Sequence, residues 1–172
     1  MPLYDLPKAA PDPLRLVQLF VNTTDHENHR EWLPDAAALR TWLAERGLAG
    51  QARLDDAIAL REALRGLLRA NNGKPLDPAA VETFNAAVRR LTIALDPEGR
   101  VVISGGGALG PIVATALGAM LDGSWPRLKV CRNCDWSFYD YSRNRAASWC
   151  SMQLCGNRLK TRAYRRRLKA VS

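Results

Sequence analysis

Long hydrophobic runs are missing from this sequence of 172 residues. Its longest apolar stretches, such as residues 112–121, fall well short of the roughly twenty residues that a membrane-spanning helix requires. The chain begins Met-Pro-Leu-Tyr-Asp and so lacks the basic and apolar regions of a secretory signal peptide. These absences argue against membrane association and secretion, and we expect a cytoplasmic protein.

Catalytic patterns are equally scarce. The 2 histidines, His26 and His29, share a polar loop without the further ligands that a metal site needs. No nucleophile stands beside a base, and no pair of carboxylates is singled out by its spacing. Residues 105–107 are three glycines, but the Lys-Ser or Lys-Thr of a phosphate loop does not follow them. We therefore predict that the protein is not an enzyme and that these glycines form a flexible connector.

Cysteine is also rare, and all 4 cysteines fall in one short stretch. Cys131 and Cys134 form a C-x2-C pair, and after fifteen residues Cys150 and Cys155 follow as C-x4-C. Thiolates at this spacing can share one tetrahedral ion. The alternatives are two disulfides, which a reducing compartment disfavours, a redox-active C-x2-C without its usual thioredoxin-like context, or four unrelated buried thiols. We predict a structural zinc ion, because four thiolates leave no open position for a catalytic water.

Positive charge is concentrated in the same part of the chain. From Arg127 onwards there are 12 Lys or Arg and 2 Asp or Glu, whereas residues 1–126 hold 13 and 15. The excess behind the net charge of +8 therefore belongs to the cysteine-containing segment. A basic element on a nearly neutral body is typical of nucleic-acid binding; a solvated tail or contact with anionic lipid is the alternative.

Residues 1–124 carry mainly helical patterns, and we predict that they form an α-helical domain. Apolar residues recur at helical spacing in residues 13–21, 35–47, 53–70, 77–88 and 109–121. Asp35 and Asp77 are suited to cap two of these helices. A β-hairpin is predicted at residues 91–103, where β-branched residues flank Asp96-Pro-Glu-Gly99. It is the one clear strand signal before residue 126.

Residues 125–172 are predicted to form a treble-clef-like zinc finger, with the four cysteines as ligands and a basic helix after them. Trp136, Phe138 and Tyr139 favour a short strand after the first cysteine pair, and Ser151 is placed to cap a helix at the second pair. At 100° per residue, one face of that helix collects Arg158, Arg162, Arg165, Arg166 and Lys169. The fold class is therefore mainly α with a small β-hairpin.

The residues around the cysteines also carry a family resemblance. Trp149-Cys150-Ser151-Met152 and Cys155-Gly156-Asn157-Arg158, followed by regularly spaced basic residues, resemble the CGNR zinc finger over about residues 126–168. Phe20-Val21-Asn22-Thr23, Trp42-Leu43, the hairpin and residues 108–112 look like the ABATE domain that usually precedes this finger. That family is described in terms of stress-induced transcription regulation, so the resemblance implies a role in gene control.

Taken together, these features predict a DNA-binding transcriptional regulator in a cytoplasmic, bacterial-type nucleoid-associated pool. Its partners would be double-stranded DNA, possible small-molecule effectors at the N-terminal domain and a second copy in a homodimer, but no membrane. Asn22 and Thr23 are candidates for an effector pocket, although Asn-Thr at a helix end is commonly a cap. The candidate nucleic-acid contacts are Arg143, Asn144, Arg145, Arg158, Lys160, Arg162, Arg165, Arg166 and Lys169.

Several of these assignments have alternatives. Arg143 could instead pair with Asp140, and Arg158 could stack on Tyr139 or Trp149. The alternative function is an RNA- or ribosome-associated zinc-binding module, which would stack unpaired bases on exposed aromatic rings. The rings available for that purpose are Trp136, Phe138 and Tyr139.

Overall fold

Five α-helices and three antiparallel strand pairs make up the residues that the computed structural model describes, 8–158 and 161. The helices are α1 (Arg15–Val21), α2 (Ala36–Ala44), α3 (Leu54–Asn71), α4 (Pro78–Val88) and α5 (Gly110–Leu121). The strand pairs are β1 (Thr24–Asp25) with β2 (Arg30–Glu31), β3 (Leu91–Leu95) with β4 (Val101–Gly105), and β5 (Leu128–Val130) with β6 (Ser137–Tyr139). This architecture confirms the mainly α fold with small hairpins.

Two of the helices, α2 and α4, begin at the aspartates that the sequence offers as caps. Asp35 accepts a hydrogen bond from the backbone N–H of Ala38 at 2.8 Å, and Asp77 accepts one from Ala79 at 2.9 Å. Pro78 is the first residue of α4, where its missing N–H would have had no helical partner. None of the helices in the described part of the chain combines the length and apolar character needed to cross a bilayer.

The hydrophobic core is organised around α3. Leu60, Leu64 and Leu68 are buried on its inner side, together with Phe20 of α1 and Ile112 of α5. The same cluster continues into the cysteine-containing segment, where it includes Leu128, Val130 and Tyr139. A single apolar core therefore reaches into both of the predicted domains.

The β3–β4 hairpin leads directly into α5 through the glycine run. Gly105, Gly106 and Gly107 have φ angles of 84°, 71° and 61°, in the left-handed region that glycine adopts without strain. A Cβ on Gly110 would lie 1.9 Å from the carbonyl oxygen of Gly105. The run predicted as a flexible connector is therefore a defined turn that packs the hairpin closely against the start of α5.

A short π-helical turn, Met152–Gly156, follows Cys150. The hydroxyl of Ser151 accepts a hydrogen bond from the N–H of Leu154 at 3.3 Å, which confirms the predicted cap. Helical backbone continues at Asn157 and Arg158. The remainder of the predicted basic helix, apart from residue 161, lies outside the described residues.

Candidate metal centre and nucleic-acid interface

The four cysteine sulfurs form one compact cluster. Their Sγ atoms all lie within 4.8 Å of one another, and Cys134, Cys150 and Cys155 are separated pairwise by 3.6 Å. A disulfide would require a separation of about 2.05 Å, so these cysteines are free thiols. Zinc–sulfur bonds of about 2.3 Å in a tetrahedron place the sulfurs about 3.8 Å apart. The observed spacing therefore fits a shared zinc ion and rejects two disulfides.

Local backbone hydrogen bonds shape the two ligand pairs. The N–H of Cys131 donates to Trp136 O at 2.9 Å, and the N–H of Asp135 donates to Cys131 O at 3.0 Å, which closes a tight knuckle around Cys134. The N–H groups of Cys155 and Gly156 both donate to Ser151 O at 3.0 Å. A Cβ on Gly156 would lie 2.9 Å from the sulfur of Met152, so a larger residue at this position would require the flexible end of the Met152 side chain to shift.

Electrostatics within the cluster also favour a cation. Hydrogen bonds from the thiols of Cys134 and Cys150 hold the pKa of Cys131 well below its usual range. The hydrogen bond with Cys131 raises the pKa of Cys134, and burial raises the pKa of Cys155. A bound divalent ion supplies the charge needed to hold four thiolates together, so the donor set fits structural zinc.

Helix α3 supports the first cysteine pair from the core side. The guanidinium of Arg65 is fully buried and donates to the backbone oxygen of Asp135 at 2.7 Å and to that of Val21 at 2.5 Å. One turn further on, Arg69 donates to the carboxylate of Asp135 at 2.8 Å. Residues four apart on a helix share a face, so both arginines reach the residue that follows Cys134.

The end of α3 ties the two ligand pairs together. The side-chain amide of Asn72 donates to Val130 O at 2.7 Å and to Ser148 O at 3.1 Å. Its backbone oxygen accepts from the Nε and Nη2 atoms of Arg132 at 3.0 and 2.8 Å. Asn72 thus contacts the chain just before Cys131, just after it and just before Cys150, which fixes the positions of both ligand pairs.

Helix α1 makes a second junction with the zinc-binding segment. The side chain of Asn22 is buried, accepts from the N–H of Ser137 at 2.8 Å and donates to its carbonyl oxygen at 3.0 Å. Gln18 donates to the same oxygen at 3.1 Å. Thr23 is also buried, and its hydroxyl donates to Phe20 O at 2.8 Å. The hypothesis that Asn22 and Thr23 line an effector pocket is therefore wrong; Asn22 joins two elements, and Thr23 closes α1.

The loop between the cysteine pairs presents three of the predicted nucleic-acid contacts. Arg143, Asn144 and Arg145 are all exposed. Asp140 does not pair with Arg143. It bonds to Lys129 Nζ at 2.8 Å and accepts from the N–H groups of Ser142 and Ala147 at 2.9 and 3.0 Å.

The buried pair of Lys129 and Asp140 fixes this loop. Burial alone would raise the pKa of Asp140, but hydrogen bonds from Lys129 and Ser142 outweigh that effect and hold it below its usual range. Lys129 also donates to the backbone oxygens of Arg145 and Ala147. The buried Lys129–Asp140 pair therefore holds both ends of the exposed segment 143–145.

Arg158 is the one predicted basic-helix contact whose surroundings are described. Its guanidinium pairs with the carboxylate of Glu27, in the loop between β1 and β2, and not with the rings of Tyr139 or Trp149 that were the alternative partners. The side chain remains about half exposed. The other predicted helix contacts lie outside the described residues: Lys160, Arg162, Arg165, Arg166 and Lys169.

The aromatic side chains near the first cysteine pair do not form the expected stacking platform. Phe138 and Tyr139 are only 1% and 8% exposed. The ammonium of Lys8 lies 4.7 Å from the centre of the Phe138 ring, and Trp136 contacts Trp32 edge-on at 6.4 Å. The prediction that Phe138 and Tyr139 are available to unpaired bases is wrong, because these rings pack inside the protein.

Sequence reasoning missed the residues that dock the metal centre. The helical pattern of residues 53–70 assigns no role to Arg65 and Arg69, although Arg65 falls between the core residues Leu64 and Leu68. Asn72 lies just beyond that pattern, where nothing local indicates its partners. A charged residue on an apolar helix face requires a buried partner. Arg65 interrupts the apolar face of the helix, and this was the signal that the sequence offered. The sequence did not identify the partner of Arg65.

The fold and the site define a small protein in which a helical domain carries a four-cysteine zinc centre. Residues 14–124 match the ABATE family, described as "Putative stress-induced transcription regulator", and residues 127–168 match the CGNR zinc finger. The first match covers more than half of the chain. The protein therefore belongs to the ABATE family and carries a CGNR zinc finger. None of the curated proteins compared matches it.

Proposed function

We propose that this protein is a DNA-binding transcriptional regulator that contacts duplex DNA through its zinc finger. The observation that carries this proposal is the exposed segment Arg143-Asn144-Arg145, held in a fixed shape by the buried Lys129–Asp140 pair and flanked by metal ligands. The family's description as a regulator of transcription supports the same role. We propose no catalytic role, because four protein thiolates would complete the coordination of the metal.

The basic residues of the finger divide into two groups with different tasks. Arg127, Lys129 and Arg132 donate to backbone oxygens within the protein, so they hold the fold. Arg143 and Arg145 are exposed on the loop and are placed to contact phosphates, while Asn144 between them can hydrogen-bond to phosphate or base edges. Arg158 and the basic positions after it would add a helix to the same interface.

The N-terminal helices are proposed to sense a small-molecule effector or to mediate dimerisation. A cavity of about 480 Å³ lies beside α2 and combines apolar walls from Leu43, Leu48 and Ala52 with the polar groups of Arg40 and Gln51. Such a mixture suits a small amphipathic anion. A thermal-shift screen of hydrophobic carboxylates tests this assignment. If Arg40→Ala abolishes the stabilisation, the cavity is supported as the effector site. If the variant is stabilised as much as the parent, the ligand binds elsewhere and the assignment is wrong.

The DNA proposal is tested by fluorescence anisotropy of the zinc-loaded protein with duplex DNA, single-stranded DNA and RNA at several salt concentrations. We expect a preference for duplex DNA, with log affinity falling by about 0.9 per phosphate contact for each decade of salt. A preference for RNA or single strands would favour the alternative module, although the burial of Phe138 and Tyr139 argues against base stacking there. No binding to any of them would overturn the proposal.

A matched pair of double variants locates the interface. Replacing Arg143 and Arg158 by Gln removes two charges from the proposed surface, and we expect weaker duplex binding and a salt slope lower by about two contacts. Replacing Arg53 and Lys74 by Gln removes two exposed charges from the N-terminal domain. Equal losses in the two double variants would show that binding follows net charge and not this surface.

A further inference from the structure

The β3–β4 hairpin carries an apolar ladder that runs from the core out into solvent. Side chains alternate along a strand, and the observed register pairs Ile93 with Ile103 and Leu95 with Val101. One face of the ribbon, which we name the apolar ladder, therefore consists of Leu91, Ile93, Leu95, Val101 and Ile103. Its inner end is half-buried, and Leu91 packs against the main core. At its outer end Ile93, Leu95 and Val101 are 64%, 68% and 67% exposed.

Exposure of this kind is costly for a two-stranded ribbon. An isolated hairpin is only marginally stable in water, and its apolar face normally packs on another element. Contiguous exposed apolar surface on an otherwise polar protein marks an interaction site. Within the described part of the chain, the outer half of the hairpin packs on no other element that would require apolar side chains, yet the apolar ladder continues to its end. This pattern indicates that the outer half of the ladder contacts a partner.

The charges around the ladder indicate which partner it fits. Arg89 and Arg90 lie at the base of the hairpin with side chains 64% and 67% exposed. The turn at the tip carries Asp96, Glu98 and Arg100; Arg100 pairs with both carboxylates, and the turn has a net charge of −1. If two ladders stack in opposite directions, the basic base of one meets the acidic tip of the other at both ends. The surface is thus complementary to itself under a two-fold rotation.

The salt bridges that these charged groups form within one chain do not prevent this arrangement. At the base, Arg89 pairs with Glu82 and Arg90 with Asp56, and these side chains are between 45% and 70% exposed. At the tip, Arg100 pairs with Glu98, which is 64% exposed, and with Asp96, which is only 16% exposed. Exposed ion pairs contribute little, so Arg89, Arg90 and Glu98 can turn towards a facing copy without a large cost.

From the ladder and its flanking charges we propose that a second copy of this chain covers the hairpin, with the two apolar ladders packed face to face in antiparallel orientation. Dimerisation was one of the two roles proposed for the N-terminal domain, and this inference assigns it to a defined surface. A two-fold axis would also present two zinc fingers to DNA, as in regulators that read palindromic sites. That consequence rests on the proposed function, but the dimer itself does not.

The size of the surface sets the strength expected of the dimer. A five-residue ribbon is about 17 Å long, so two stacked ladders bury well below the roughly 1,600 Å² of a standard protein interface. We therefore expect a weak dimer in solution that dissociates in the micromolar range. Linked binding to two half-sites would strengthen it through effective concentration.

Sedimentation velocity of the zinc-loaded protein without nucleic acid, from low to several hundred micromolar, tests the inference. The sedimentation coefficient should rise from that of a monomer to that of a dimer. Leu95→Glu places a charge in the apolar ladder and should raise the dissociation constant at least about tenfold. Leu121→Glu makes the same change at a leucine of α5 that is 77% exposed, and it should leave the dimer unchanged.

A charge exchange tests the orientation. Arg89→Glu alone should weaken the dimer, and adding Glu98→Arg should restore it, because the base and tip then carry exchanged charges. A protein that stays monomeric throughout, or a dimer that Leu95→Glu does not weaken, would overturn the proposal, and failure of the exchange to restore association would overturn the antiparallel arrangement. Nucleic acid is absent, so failure here leaves the DNA proposal standing, and failure to bind DNA leaves the dimer standing.

Discussion

The largest fully buried side chain among the described residues is a charged one, Arg65. Its three hydrogen-bonding groups reach Val21 O in α1, Glu62 in α3 and Asp135 O beside the metal centre. Burial lowers the pKa of this guanidinium, but from so high an ordinary value that it stays charged. One residue therefore connects three elements by hydrogen bonds that only an arginine can supply together.

Replacing Arg65 by Met should lower the free energy of unfolding by about 2–4 kcal/mol. The variant keeps most of the volume but leaves two buried carbonyl oxygens without their donors. The cost falls short of that of a fully buried ion pair because Glu62 is 39% exposed. Urea denaturation of the zinc-loaded protein measures it, with the exposed Arg53→Met as the control expected within about 0.5 kcal/mol of the parent. A loss equal to that control would show that the buried hydrogen bonds are unimportant.

Asn133 is expected to tune zinc affinity without ligating the metal. Its side-chain Nδ2 lies 3.5 Å from Cys155 Sγ, where it donates to the sulfur and stabilises the thiolate. Asn133→Ala should therefore weaken zinc binding by about tenfold, as loss of an outer hydrogen bond does at other sites. Competition with a chromophoric chelator measures the affinity, and the exposed Asn144→Ala serves as the control. Equal affinities for both variants would contradict this role.

Glu31 should give stability a defined dependence on pH. Arg61 donates to its two carboxylate oxygens at 2.8 Å each. Burial alone would raise the pKa of Glu31, but hydrogen bonds from Arg61 and from backbone N–H groups outweigh it and lower the pKa below the ordinary 4.5. A carboxylate with a lowered folded-state pKa stabilises the fold above its unfolded-state pKa, and this contribution is lost as the pH falls through the folded-state value.

The difference in unfolding free energy between the parent and Glu31→Gln should therefore be constant from pH 7 to about 5 and shrink below about 4.5. Urea denaturation of both proteins across this range measures it. Taking the difference cancels acid effects that the two proteins share, including release of zinc. A difference that grows as the pH falls would show that Glu31 is destabilising when ionised.

At the scale of single elements, local sequence patterns predicted most of the fold. The helices and the β3–β4 hairpin follow from periodicity, caps and turn residues, all of which act between near neighbours. The β1–β2 pair was missed because two-residue strands carry no pattern. The function of Asn22 was also missed, since its partner Ser137 lies 115 residues away and nothing local at either position identifies the other.

Asn22→Ala should cost about 2 kcal/mol of stability, because two buried hydrogen bonds to Ser137 disappear; the N–H of Ser137 loses its acceptor, while its carbonyl oxygen keeps the bond from Gln18. The amide of Ser137 should also exchange with solvent faster than in the parent. Chemical denaturation and amide hydrogen exchange give the two readouts. Asn85→Ala, at an exposed position of α4, should change neither. Unchanged protection of the Ser137 amide in Asn22→Ala would mean that the junction is held by other contacts.

At the scale of the whole molecule, the metal centre is docked against the main core: Cys131 and Cys155 form a small cluster of their own with Phe138, next to core residues of the same segment. The four ligands could be identified from spacing alone, because metal coordination restricts which cysteine patterns occur. The docking of the metal centre could not be predicted from spacing. It depends on contacts of Arg65, Arg69 and Asn72 with groups that lie 58 to 70 residues further along the chain. If the two domains were independent, loss of zinc would melt only the finger. The shared core argues for a different outcome.

We expect Cys155→Ser to destabilise the entire protein in one cooperative transition. Structural zinc supplies roughly 10–16 kcal/mol to isolated finger peptides, which is comparable with the roughly 5–15 kcal/mol that holds a typical domain together. Its loss frees Leu128, Val130 and Tyr139 from the core cluster they share with α3. Even a fraction of that energy should lower the melting temperature by more than about 10 °C for a chain of this size.

Circular dichroism reports the helices, and tryptophan fluorescence reports both parts of the protein, since Trp42 lies in the helical domain and Trp136 beside the knuckle. If the two parts unfold together, the two melting curves should coincide. Leu154→Ser, at an exposed neighbour of the last ligand, controls for introducing a hydroxyl and should melt like the parent. Removing zinc from the parent with a chelator should reproduce the behaviour of Cys155→Ser, and returning zinc should reverse it in the parent alone. Helical signal that persists to the parent's melting temperature in Cys155→Ser would show that the hydrogen bonds between α3 and the knuckle do not couple the two parts. The finger would then be an independently folding unit.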